Sequence, residues 1–173
     1  MSRPFKRKKG AVVAKLDGNE RRVLLHLCDE IEELLSDDST SEAPQWARDL
    51  GLAGVGEQRE TPTDPVVARL LPDAYEDAEQ AGEFRRLTEA GLRAKKLAHV
   101  EVVRRDLEQD PPVVITDGVQ QWLAFLADCR LVLGTRLGVT EDDPMWPGLN
   151  PQKNLYLYLA YLQQSLVDVL MGE

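Results

Sequence analysis

Apolar residues recur at helical spacing along four long stretches of the chain. Between Asn19 and Leu35, the residues Val23, Leu24, Leu27, Cys28, Ile31, Leu34 and Leu35 follow a period of about 3.6 and predict an amphipathic helix. Its acids, Asp29, Glu30, Glu32 and Glu33, lie mainly on the other side. A second helix is expected over 77–109, with Phe84, Leu87, Leu92, Leu97, Val100, Val103 and Leu107 on its packed face. Gly82 and Gly91 each weaken it by about 1 kcal/mol relative to Ala. Trp122, Phe125, Leu126, Cys129, Val132, Leu133 and Leu137 predict a third helix over 118–137. Leu155, Leu159, Leu162, Leu166, Val169 and Leu170 predict a fourth over 151–171, flanked by Tyr156, Tyr158 and Tyr161.

The segments between these helices carry stop and cap signals. Residues 4–8 and 11–16 flank Lys9-Gly10 and predict a short hairpin, with which the β-like run Val113–Ile115 is expected to pair. Asp17 is placed to cap the first helix, with Glu20 completing a capping box and Asn19 as the other cap candidate. Residues 36–44 form a polar linker, and a short helix is expected at 44–50 with Pro44 in its first turn and Gly51 at its end. Residues 51–64 predict a loop, followed by a short helix with Asp64 as cap, Pro65 at the first position and Pro72 as stop. Asp117, or Thr116, is the expected cap of the 118–137 helix, and Gly138 its stop. Residues 139–150 predict another loop, and Asn150-Pro151 opens the last helix. The pattern predicts a mainly α fold: a bundle of four to six helices with a small N-terminal sheet. Residues 1–173 are expected to form one domain, with 1–16 a basic hairpin and 36–63 loop-rich around a short helix.

Charge is divided unevenly between the N-terminus and the rest. The net charge is −9, yet residues 1–9 carry Arg3, Lys6, Arg7, Lys8 and Lys9 and no acid, so the remainder stands at −14. An acidic body argues against broad binding to a phosphate backbone, which depends on basic surface. The five basic residues are the candidate contacts to promoter DNA or to an acidic protein patch; the plainer alternative is a solvated basic strand. No apolar run reaches the roughly 20 residues that cross a bilayer. The basic N-terminus lacks a following apolar stretch, which argues against a secretory signal and for a cytoplasmic protein.

Motifs for catalysis are missing from the sequence. His26 and His99 sit on different predicted helices without metal-ligand spacing, so no metal or cofactor is expected. There is no phosphate-binding glycine loop and no nucleophile elbow, which argues against an enzyme. The remaining chemistry lies in Cys28 and Cys129, the only two cysteines, each within the apolar stripe of a helix. Free cysteine at such positions commonly packs as a small hydrophobe. The alternative is a redox sensor, which requires thiolate character and access. Asp29 and Asp128 adjoin the thiols and disfavour thiolate; Arg130, Arg21 and Arg22 are the nearest bases in sequence. The cysteines are 101 residues apart, so a bridge requires their helices to meet with Cα atoms about 4.4–6.8 Å apart. Closing such a loop is worth up to about 4.7 kcal/mol in the chain-entropy picture.

Three stretches taken together, DPVVARLLPDAY (64–75), WLAFLADCRLVLGTRLGV (122–139) and NLYLYLAYLQQSLVDVL (154–170), resemble an actinobacterial family. That family was first catalogued as a domain of unknown function and later described as oxidative-stress transcription regulators. The resemblance implies a non-enzymatic cytosolic protein that senses oxidation through cysteine and cooperates with a stress sigma factor or RNA polymerase at promoters. No close-spaced cysteine pair of the family maps onto this sequence, which leaves Cys28 and Cys129 as the redox candidates. The alternative is a protein-interaction module or homodimer whose cysteines are structural.

Overall fold

The computed structural model describes residues 3–36, 44–50, 52, 61–140, 142, 147–148 and 150–172. Among these are three strands, β1 (Phe5–Lys8), β2 (Ala11–Ala14) and β3 (Val113–Ile115). Six helices accompany them: α1 (Gly18–Leu35), α2 (Gln45–Asp49), α3 (Pro65–Leu70), α4 (Ala78–Leu107), α5 (Val119–Leu137) and α6 (Pro151–Met171). The fold is mainly α, as the periodicity predicts. None of the described helices is long and apolar enough to cross a membrane.

Local signals set most of the boundaries. Lys9 and Gly10 both take positive φ, 51° and 84°, which is the twist a two-residue hairpin turn needs. β2 lies between β1 and β3, antiparallel to both, with Val12 opposite Ile115 and Ala14 opposite Val113. The Asp17 carboxylate accepts from the Asn19 and Glu20 amides while Glu20 accepts from the Asp17 N–H, so the capping box forms. Asp64, Asp77 and Asn150 cap α3, α4 and α6 in the same manner.

Two boundary expectations are corrected. Neither Asp117 nor Thr116 caps α5; the cap position is Gly118 at φ +153°, without a side-chain cap bond. A Cβ there would lie 2.7 Å from Val102 Cγ1, so α4 passes too close for any residue but glycine. Pro44 precedes α2 rather than standing in its first turn. The expectations for the 36–44 linker, Gly51, the 51–64 loop and the 139–150 loop fall largely on residues outside those described.

The first half of α4 also departs from the pattern. Phe84, Leu87 and Leu92 are exposed, and Ala81, Arg85, Glu89 and Ala90 are buried instead. The Arg85 guanidinium donates to Glu89 (3.1 Å), the Leu71 carbonyl (2.9 Å) and Asp73 (2.7 Å), tying the end of α3 to α4. A charged pair satisfied in this way tolerates burial, and it turns the leucine-bearing side outward. The second half follows the pattern, with Val100, Val103 and Leu107 buried.

One contiguous core joins the sheet and every described helix except α2. α5 is at its centre, packed on α6, α4 and α3 and touching α1. Trp122 of α5 is fully buried; its ring meets Phe5 of β1 edge-on at 5.9 Å, and its Nε1–H donates to Asp106 at 2.9 Å. The Phe5 N–H donates to Ser165 Oγ of α6, which anchors the sheet at the end of the bundle.

Candidate functional site

Helix α1 presents Leu24, Leu27, Cys28, Ile31 and Leu35 to the core, and α5 presents Trp122, Phe125, Leu126, Cys129, Val132 and Leu133. The stripe positions foreseen for both cysteines are therefore buried positions. Both thiols are free, both are 0% exposed, and both belong to the same core. α1 and α5 touch, and Cys28 is, after burial itself, the largest influence raising the Cys129 thiol.

Electrostatics keep both groups protonated. Burial pushes the Cys28 thiol up to about 12; Arg104 opposes this, and Glu32 and Asp29 add to it. Burial likewise raises Cys129 well above the ordinary range, reinforced by Cys28, Asp128 and Glu30. The adjacent aspartates act in the expected direction. Asp128 is itself buried and ion-paired with Lys96 of α4 at 2.6 Å, which fixes a carboxylate one residue from Cys129.

The basic neighbours differ from those nearest in sequence. Arg130 turns to Gln163 and Tyr156 of α6. Arg21 donates to the Leu107 and Gln109 carbonyls at the end of α4, and Arg22 to the Gly18 carbonyl. The guanidinium that acts on Cys28 is Arg104 of α4, which bridges Asp29 at 2.9 Å and Glu32 at 2.8 Å. Arg104 follows Val100 by one turn, so it flanks the α4 stripe. That spacing is the only local trace it leaves in the sequence, because its partners lie more than seventy residues away.

The basic residues form a separate feature. Lys6, Arg7 and Lys8 line edge strand β1, Lys9 stands at the turn, and Arg3 precedes the strand; all five are exposed. They are on the sheet and not beside the thiols, which sit on α1 and α5. His26 is exposed and 3.3 Å from Glu30, while His99 is partly buried and held below the usual histidine range, chiefly by burial. No group of three His, Cys, Asp or Glu suited to a metal ion occurs among the described residues.

Comparison with known proteins places this geometry in a family. The family model described as a domain of unknown function, DUF2017, matches residues 2–170. The oxidative stress regulator AosR of Mycobacterium bovis and that of Mycobacterium tuberculosis are each 30% identical to the chain, over 92% of this chain and 82% of theirs. The putative oxidative stress regulator AosR of Mycobacterium leprae is 29% identical over 89% of this chain and 80% of its own length. No solved structure matches the chain. With nearly the whole chain inside the family model and the curated relatives alike over the same span, the protein belongs to the DUF2017 family, with the mycobacterial oxidative stress regulators AosR among its relatives.

Proposed function

We propose that this protein is a non-enzymatic cytoplasmic regulator of the oxidative-stress response, acting on transcription through a sigma factor or RNA polymerase, with Cys28 and Cys129 as its redox pair. Supporting the regulatory part is the likeness to relatives named oxidative stress regulators. The observation that carries the redox part is that the only two cysteines are buried in one core, on two helices that touch. Peroxide would oxidise one thiol to a sulfenic acid, releasing water; the second sulfur would displace hydroxide from it, forming the disulfide and a second water. Cys28 is the better first target, because Arg104 favours its thiolate, whereas the charges that act most on Cys129 all disfavour one. A covalent tie between α1 and α5 changes the packing of the central helix, and with it the surface offered to a partner.

The five exposed basic residues, Arg3, Lys6, Arg7, Lys8 and Lys9, supply the contact to promoter DNA or to an acidic patch on the partner. Complete burial and the raised thiols favour a second reading, in which both cysteines are structural and the protein is an interaction module or homodimer. Substituting both cysteines by Ser and measuring stress-gene induction separates the two. Loss of induction with an intact fold supports the redox pair, and unchanged induction removes it.

A further inference from the structure

Along the C-terminal half of α5, a cleft of about 400 Å³ opens between α3, α5 and α6. Its size is that of small-ligand pockets. We propose that it binds a small organic anion, a carboxylate or phosphate carried on an apolar or aromatic body.

The charge of the cleft is the first reason. Arg69 and Arg130 both line it, and no carboxylate does among the described residues. Arg69 is exposed at its edge and has no ion-pair partner among the described residues. Arg130 is partly buried and bonds only neutral groups: Gln163 Oε1 at 2.8 Å and the Tyr156 hydroxyl at 3.3 Å. Its charge is uncompensated in a chain of net charge −9, where most other interior or half-buried arginines meet a carboxylate or a helix-end carbonyl. Exposed charges beyond about 10 Å are screened, so this local pair outweighs the overall negative charge.

Pre-positioning is the second reason. The Arg130 guanidinium lies over the Tyr156 ring at 5.2 Å, within cation–π range. Held by ring, hydroxyl and amide, it still has N–H donors left for an incoming oxygen. Gly134, one turn on from Arg130, faces the same ring: a Cβ there would meet Tyr156 at 3.4 Å, in ordinary contact. Gly138 ends α5 in the left-handed conformation, and its N–H and that of Val139 bond the Thr135 and Gly134 carbonyls. The helix end therefore presents few free carbonyls to repel an anion. Leu131 and Tyr156 supply the apolar wall.

The test is a titration of the full-length ¹⁵N-labelled chain with phenyl phosphate, followed by amide shifts, with phenol and inorganic phosphate as partial probes. Saturable shifts at Gly134 and Gly138 are expected, with phenol and inorganic phosphate each binding about tenfold more weakly, since each lacks half of the recognition. R69Q, a surface change that leaves the core intact, should weaken phenyl phosphate about fivefold to tenfold, and R130Q at least as much, while K95Q on the exposed side of α4 should change nothing. Absence of saturation at about 10 mM, equal binding of phenol, or equal weakening by K95Q and R69Q would each overturn the proposal.

Discussion

The sharpest consequence of the buried pair is slow thiol chemistry in the native state. At about pH 7.5 a neutral disulfide reagent is attacked by the cysteine thiolate, which breaks its S–S bond and releases the reagent's thiolate. Cys28 is raised from 9.0 to about 12, so its thiolate fraction falls by about 10³ relative to an ordinary cysteine. A more basic thiolate is also a better nucleophile; with a Brønsted slope of about 0.4–0.5, this returns a factor of roughly 15–30. The net effect of ionisation alone is a rate about 30–70 times slower than in the unfolded chain. Exclusion of the reagent from a site with 0% exposure slows it further, and Cys129 should be slower than Cys28 because the charges that act most on it all disfavour the thiolate. The assay compares release of the coloured thiolate from native protein with that from protein in concentrated guanidinium, using the single Ser variants to separate the positions. Native rates within about threefold of the unfolded rate would refute the reasoning, because neither burial nor the raised thiol would then exist in solution.

Three further outcomes follow from the same structure. Stability should fall on the alkaline side: a thiol raised on folding contributes fully below the unfolded value of 9.0 and loses that contribution as pH climbs toward about 12. Tyr158, raised by burial and by its bond to Glu20, acts in the same direction, so melting points measured from pH 8 upward should decline steadily and a flat profile would contradict both. G118A should cost about 2–4 kcal/mol in urea unfolding, from a disfavoured backbone at φ +153° and the 2.7 Å approach to Val102, whereas G91A, on open helix surface, should be neutral or stabilising. R85M should destabilise by about 2 kcal/mol, because buried Glu89 loses one guanidinium and keeps Arg93 at 3.4 Å, and the double variant with E89M should recover part of that; simple additivity would show that the pair is not coupled.

Where sequence reasoning succeeded, the cause was local. The capping box at Asp17, Asp64-Pro65, Asn150-Pro151 and the turn at Lys9-Gly10 are decided by neighbours within a few residues, and each formed as expected. Burial of Cys28 and Cys129 followed from the stripe. The misses depended on distant partners. Phe84, Leu87 and Leu92 fit a helical face, but Asp73 and the Leu71 carbonyl turn Arg85 and Glu89 inward. Gly118 displaced the polar cap candidates because of a close approach by Val102 on another helix. Arg104 was invisible as the neighbour of Cys28 for the same reason, since helix packing, not spacing, brings it there. Gly134 likewise gives no hint of Tyr156 until α5 and α6 are packed.

The central claim is that Cys28 and Cys129 form one redox unit, and peptide mapping after oxidation tests it most directly. Native protein is treated with peroxide, unreacted thiols are blocked, and the digest is analysed without reductant. The expected product is a monomer containing a linked Cys28–Cys129 peptide, two hydrogens lighter than the sum of its halves, formed slowly and abolished by either Ser variant. Thiols that remain fully reduced, or a bridge that appears only between two copies of the chain, would contradict it.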